Sequence, residues 1–279
     1  MEHFASGWKE SYYGKGDVIV YRLNRSATSS QQSVFGANVL MLLYGDAFWP
    51  TYTTGDNTGL IATDSMKNFI QRETLNFEGN DLEGLCRFLA SKFAGHYRQV
   101  EGLQVSATEI PYAPLDREAA FVPAGPERAT ARFELRQGAV VEAVSGLKGF
   151  RLLRLGGSAF EGFVRDEYTT LPDKEDRPLH MGLDAEWTYV APSAFESGGH
   201  VTTRIRSIVH DVFQDFESGS IQQVIYQMAT RILSDLPAVA EVHLEANNRT
   251  WDTIVERDDA GTFTDARPPY GCLGLRLRR

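Results

Sequence analysis

The sequence predicts an antiparallel α+β protein of two like units, and three observations carry that prediction. Strand-like runs, two helical segments and further strand-like runs follow one another twice along 279 residues. The helical segments gather their apolar residues on one side, as helices lying on one face of a sheet must. At roughly 100–200 residues per domain the length accommodates two units, and the recurring order suggests an internal duplication. The boundary is placed near Arg136 to Gly138, giving units of residues 1–136 and 137–279.

Residues 17–24 (DVIVYRLN) and 38–48 (NVLMLLYGDAF) are rich in β-branched and apolar side chains between turn formers, so they read as two strands of one hairpin. A helix begins near Thr63, Asp64 and Ser65, whose short oxygen-bearing side chains suit an N-cap, and it puts Met66, Phe69 and Ile70 on one face. A second helix covers residues 81–95. Strands at 99–112 and 127–135 follow, separated by a long connection rich in Pro, Ala and Gly.

In the second half, residues 140–144 and 149–155 read as separate strands, 158–180 as a polar irregular stretch and 182–190 as a strand. The clearest helix carries Ile205, Ile208, Val209, Val212, Phe213 and Phe216 at offsets 0, 3, 4, 7, 8 and 11. Ser218, Gly219 and Ser220 break it. Ile221, Val224, Ile225, Met228, Ala229 and Ile232 repeat the helical spacing, and strands at 239–245 and 270–277 complete the unit.

Hydrophobic residues make up 42% and charged residues 23% of the chain, enough to bury a large core and to exclude disordered, collagen-like and disulfide-stapled classes. The formal charge is −9, from 28 Lys plus Arg against 37 Asp plus Glu. No global positive field draws in nucleic acid or an anionic membrane, so neither is an expected partner, and an anionic ligand must be held locally. Cys86 falls in the helical series Leu82, Cys86, Leu89, Phe93 and reads as a buried thiol; Cys272 lies far from it, unlike a secreted scaffold. Residues 1–10 lack the apolar core of a signal peptide, no run reaches the roughly 20 apolar residues of a membrane span, and Arg276 to Arg279 is no peroxisomal Ser-Lys-Leu address. The expected location is a cytoplasm, of bacterial type.

His3, His96, His180, His200, His210 and His243 form no close ligand pair, and Cys-x-x-Cys is missing, so no metal is expected. There is no phosphate-binding Gly-x-x-x-x-Gly-Lys-Ser/Thr loop, no dinucleotide-binding Gly-x-Gly-x-x-Gly turn and no Gly-x-Ser-x-Gly. Composition and periodicity alone name no reaction.

Particular segments do more. Tyr13-Gly14-Lys15, residues 57–68 (NTGLIATDSMKN), 160–177 (FEGFVRDEYTTLPDKEDR), Asp184-Ala185-Glu186-Trp187, Ser220-Ile221-Gln222 and Asn248-Arg249-Thr250-Trp251 together resemble the urate oxidase (uricase) family. The likeness runs from Tyr13 to Trp251, and its Phe-x-x-Phe-x-Arg-Asp-x-Tyr-Thr-Thr-Leu run with a following Asp-Arg pair is long and unusual. The resemblance implies oxidation of urate by O2 and water to 5-hydroxyisourate and hydrogen peroxide, without a cofactor. It also implies the tunnelling fold (T-fold), in which two α+β units per chain close a barrel with a partner chain. Two barrels stack into a homotetramer, with active sites between subunits.

The resemblance places residues as follows, each of which also has a plainer reading. Thr63 would otherwise be an N-cap, a task Asp64 or Ser65 could share; in the family the matching Thr contacts the substrate and works with a Lys, here Lys15, in proton handling. Lysine amines ordinarily titrate near 10.4, so a base at neutral pH requires desolvation or a nearby cation, and Lys15 is expected to be largely buried. Arg177 and Gln222 match the substrate clamp: a guanidinium offers parallel donors to one edge of a flat anion, and a carboxamide donates and accepts at another. Without the motif, Arg177 would pair with Asp173, Glu175 or Asp176 at the surface. Gln222 and Ile221 open a helix, where unpaired N–H groups favour an anion.

Phe160, otherwise a core aromatic, would stack on the purine; Ile221 would add an N–H and an apolar edge; Asp64 would direct its backbone N–H at the ring. Asn248, otherwise a turn residue, would hold O2 or the water that replaces it. Many family members read Asn-Lys-His where this chain reads Asn248-Arg249-Thr250. A hydroxyl relays a proton but does not store one near neutral pH, so Thr250 serves only as a relay and more of the proton traffic falls to Lys15 and Thr63. Two alternatives stand beside this reading. One is another T-fold enzyme on a purine or pterin, a class that generally wants clustered metal ligands; the other is a catalytically silent purine-binding barrel protein.

Overall fold

The computed structural model describes residues 11–25, 32–116, 119–249, 251–265 and 267–279. The chain divides into two compact units. One comprises residues 1–124, 130–144 and 195–199, and the other residues 125–129, 145–194 and 200–279.

In the first unit, β1 (Tyr12–Asn24) and β2 (Ser33–Tyr44) form the expected hairpin, with Tyr12 opposite Tyr44 and Asn24 opposite Ser33. β3 (Gly102–Glu109) joins β2, and β6 (Arg128–Arg136) joins β3, so the antiparallel order is β1-β2-β3-β6. Between β2 and β3 run the short α1 (Trp49–Thr53) and two longer helices, α2 (Thr63–Asn76) and α3 (Leu82–His96). Val18 and Val20 are buried while Ile19 and Tyr21 are exposed, the period-two signature of a sheet covered on one face. α2 packs on β1 and α3 on β3, burying Met66, Ile70, Leu85, Cys86, Leu89 and Phe93. Asp81 caps α3, accepting from Gly84 N at 2.7 Å. Arg22 continues the buried face of β1: its guanidinium lies 5.4 Å from both the Phe35 and Phe77 ring centroids and donates to Asn80 Oδ1 at 2.7 Å.

The long connection after β3 holds more structure than its composition suggests. β4 (Tyr112–Pro114) and β5 (Phe121–Pro123) pair there as a small separate hairpin. Gln137 and Gly138, both at positive φ, make the turn out of β6.

The two strands expected at 140–144 and 149–155 are one, β7 (Ala139–Arg154), within which the chain passes from the first unit to the second. Gly149 explains the apparent break. Its φ of 81° absorbs a kink that another residue would resist, and its N–H donates to Asp184 Oδ1 at 2.7 Å, so the strand runs on.

The second unit pairs β8 (Leu179–Tyr189) with β9 (Val239–Asn248) and β9 with β12 (Cys272–Arg278), again antiparallel, in the order β7-β8-β9-β12. α4 (Gly198–Asp215) and α5 (Ile221–Asp235) contribute Ile205, Ile208, Val209, Val224, Ile225, Met228 and Ile232 to a core completed by Leu183, Trp187, Val242 and Leu244. β10 (Asp252–Arg257) and β11 (Ala260–Thr264) form a further exposed hairpin that the hydrophobic pattern did not announce. No helix among the described residues is long and apolar enough to cross a membrane.

Trp187 is the largest fully buried side chain, and its Nε1–H donates to the Tyr189 hydroxyl at 3.0 Å, which donates in turn to Ser145 Oγ at 2.7 Å. Trp187→Ala removes both the packing and the donor, and an unfolding free energy lower by about 3–5 kcal/mol is expected. The shift of the guanidinium unfolding midpoint at unchanged slope measures it.

Candidate active site

The predicted residues fall into two groups, one in each unit. The first holds Lys15, Thr63 and Asp64. Lys15 lies on β1 where the register with β2 shifts between Lys15 and Val18, a bulge that re-aims the strand. In the chain by itself Lys15 is partly buried, less than expected, because β1 is an edge strand of its sheet. The loop before α2 is fixed by Tyr13, whose hydroxyl accepts from Ile61 N at 3.0 Å and whose ring meets Phe48 edge-on at 4.9 Å. Burial is the main cause that raises the Tyr13 pKa, keeping the phenol protonated.

The capping expectation for this loop does not hold. Ala62 is the N-cap of α2, no side chain caps it, and Thr63 is the first helical residue. The Thr63 hydroxyl is therefore not spent on capping. The Asp64 carboxylate is held elsewhere, accepting from Lys67 Nζ at 2.5 Å and from Asn68 Nδ2 at 2.9 Å. Its pKa is lowered, chiefly by Lys67 and in smaller part by the positive charge of Lys15. Lys15 and Asp64 are thus electrostatic neighbours at the start of α2, while the Asp64 backbone N–H remains one of the unpaired donors of a helix N-terminus.

The second group converges on one cavity. Phe160, Arg177, Ile221, Gln222 and Asn248 line a space of about 300 Å³, together with Leu171, Asp252, Gly271 and Leu273. Phe160 is set by a short antiparallel bridge to Lys174, donating to Lys174 O at 2.7 Å and accepting from Lys174 N at 3.0 Å. Its ring stacks on Phe163 at 5.1 Å with 16° between planes. The Arg177 guanidinium lies 5.3 Å from the Phe160 centroid, so cation and aromatic wall form one assembly.

The surface reading of Arg177 is not what is found. Arg177 makes no ion pair among the described residues; Asp173 is bridged to Arg165 at 2.7 Å, and Asp176 accepts from the Arg177 backbone N–H at 2.9 Å. The Arg177 Nε is buried without a hydrogen-bond partner among the described residues, and desolvation lowers the guanidinium pKa. A desolvated cation with an unused donor calls for an anion.

Ile221 and Gln222 are the first residues of α5. Ser220 caps it, accepting from Gln223 N at 3.2 Å, and Gln223 Oε1 accepts from Gly219 N at 2.8 Å. This reciprocal cap leaves the N–H groups of Ile221 and Gln222 available at the positive end of the helix dipole. Asn248 closes β9, donating its N–H to Gly271 O at 2.9 Å. Thr250 lies outside the described residues.

Four lining residues were not foreseen. Leu171 sits inside the run that carries the resemblance, so its presence there was the available signal. Leu273 and Gly271 reach the cavity only through the pairing of β12 with β9, which no local pattern shows. Asp252 brings a carboxylate to a pocket otherwise suited to an anion. Among the described residues no cluster of three or more His, Cys, Asp or Glu is placed to hold a metal ion.

Comparison with known proteins agrees with this geometry. The family model described as Uricase matches residues 11–134 and 143–272. A uricase of Haloferax volcanii is 34% identical, with 92% of this chain and 94% of the relative aligned. The uric acid degradation bifunctional protein of Bacillus sp. (strain TB-90) is 35% identical over 93% of this chain, which spans 58% of that longer protein. PucL, its counterpart in Bacillus subtilis, is 32% identical and is spanned to 60%. In three dimensions the chain superposes on the crystal structure of a uricase from Bacillus fastidious with a TM-score of 0.87 at 33% identity, covering 98% of this chain and 94% of that one. The urate oxidase of Bacillus sp. TB-90 gives 0.86 at 34% identity, over 96% and 100%. Because the match extends through both units and both groups of site residues, the chain belongs to the uricase family.

Proposed function

We propose that the protein is a urate oxidase that converts urate, O2 and water to 5-hydroxyisourate and hydrogen peroxide without a cofactor. The observation that carries the reading is Arg177: a half-buried guanidinium with an unpartnered Nε against the Phe160 ring, in a cavity closed on another side by the N-terminus of α5. A flat anion fits all three. Its negative edge takes the Arg177 donors, its face stacks on Phe160, and Gln222 with the first N–H groups of α5 reads the carbonyl and N–H pattern of a second edge.

The remaining chemistry is proton handling and orientation. Lys15 and Thr63 take a further proton from bound urate, and the electron-rich ring gives two electrons to O2, which leaves as peroxide after accepting two protons. Water then adds at the ring carbon, held by Asn248 and relayed by Thr63 and Thr250. Orientation, desolvation and proton transfer are what the chain supplies. Lys15, Thr63 and Asp64 belong to one unit and the cavity to the other; in the proposed homotetramer of T-fold barrels one chain offers the proton group to the pocket of another. In this reading residues 1–136 and 137–279 are two T-fold repeats.

The test uses chelator-treated, purified protein with urate in air and under nitrogen, following urate absorbance and peroxide. Urate loss in air with one peroxide per urate, and none under nitrogen, is expected. Purine binding without consumption would favour the silent barrel protein. Activity that returns only with added metal would favour a different T-fold enzyme.

A further inference from the structure

We propose that Arg154 is the positioning residue of the purine clamp, holding the segment that carries Phe160 and the segment that leads into Ile221 and Gln222 in one fixed register. The choice of substrate in the test rests on the urate oxidase reading; the geometry does not. Arg154 ends β7 and is not part of the cavity lining. Its Nη1 donates to Phe213 O at 3.1 Å and to Phe216 O, carbonyls at the end of α4 that no helical N–H can satisfy. Its Nη2 donates to Gly157 O at 2.5 Å and to Ser218 Oγ at 3.3 Å. One planar fork thus joins the end of α4, the turn at Gly157 and the approach to α5, with its carbon 5.6 Å from the Phe213 centroid.

The segments joined are those that set the pocket. Ser218 N donates to Gly157 O at 3.0 Å and Ala159 N donates to Ser218 O at 2.8 Å, a parallel bridge two residues before Phe160 on one side and two before Ser220 on the other. Gly157, at a φ of 73°, makes the turn that brings its carbonyl back over Arg154. Asp176 extends the brace to the cation of the clamp: Oδ1 accepts from Ser158 N at 3.1 Å and from Arg177 N at 2.9 Å. Beside the Lys174 bridge that sets Phe160, the segments carrying Phe160, Arg177 and the first turn of α5 are thus tied to one another through Arg154 and Asp176, neither of which lines the cavity.

The experiment compares wild-type, Arg154→Met and Arg154→Lys protein. In Arg154→Met the KM for urate, and the dissociation constant of xanthine under nitrogen, are expected to rise together by about tenfold, the scale of one clamp hydrogen bond lost, with kcat within about twofold. Arg154→Lys, with a charge but no fork, falls between. Hydrogen exchange gives a readout that needs no substrate: the Ala159 and Ser218 amides lose protection in Arg154→Met while the interior of α5 keeps it. If wild-type protein does not oxidise urate, the functional reading fails while exchange still reports on the brace. Unchanged KM and unchanged protection in Arg154→Met overturn the proposal. So does an equal rise in KM in Leu183→Ala brought to the same unfolding temperature, because the effect is then general loosening. If Arg154→Met does not fold, Arg154→Lys carries the test: an intermediate KM with weakened Ala159 and Ser218 protection supports the proposal, and wild-type values of both overturn it.

Discussion

Arg177→Met raises the KM for urate by about two orders of magnitude and leaves the protein as stable as the wild type. A hydrogen bond to a charged group is worth about 1.5–3 kcal/mol, and a guanidinium on one edge of urate makes two, so the loss is at least about 3 kcal/mol. At 1.4 kcal/mol per decade that is roughly a hundredfold. Stability does not suffer, because methionine keeps the packing against Phe160 and removes a cation that the folded chain desolvates without pairing. Steady-state kinetics, xanthine binding under nitrogen and thermal unfolding check the three parts. An unchanged KM would remove Arg177 from the clamp.

The opposite split is expected on the other unit. Lys15→Ala and Thr63→Ala each lower kcat by about 10²–10⁴-fold, the range of general acid–base catalysis, with KM within about threefold. In the proposed clamp Phe160, Arg177 and Gln222 hold the purine and both variants leave them in place, so ground-state binding keeps most of its contacts. The double variant should fall no further than the worse single one if amine and hydroxyl act as one proton path. Single-turnover measurements separate this from slow product release, and a raised KM at wild-type kcat would reassign both residues to binding.

How much of this was readable beforehand varies with the kind of information involved. α4 and α5 announced themselves because their cores are local: Ile205 to Phe213 and Ile221 to Ile232 recur at helical spacing and are the residues buried. β10 gave no such signal, since all six of its residues are exposed and no apolar alternation marks either face. The error at Thr63 was one of position, because an extended Ala62 takes the N-cap without contributing a side chain. Arg177 shows the limit most clearly. Its sequence neighbours Asp173, Glu175 and Asp176 suggested a surface cluster, but Asp173 is committed to Arg165 and Asp176 to two backbone N–H groups. Which charge remains unpaired is a property of the folded chain. The resemblance supplied the residue and the structure supplies the reason.

The order in which the cavity walls appear along the chain has a consequence for biosynthesis. Phe160 is made early, Arg177 and Gln222 later, and Gly271 and Leu273 come after every other lining residue. They sit in the wall only when β12 is laid antiparallel on β9, with Leu273 opposite Ala246. A nascent chain that has emerged as far as Asp252 can shelter its helices on β7, β8 and β9, yet it lacks one wall of the pocket. Arg177 and Phe160 then face an open cleft in which water satisfies the cation. Such non-local closure is slow compared with helix formation. Closure of the pocket therefore waits on β12, and a chain truncated before Gly271 has a pocket open on one side.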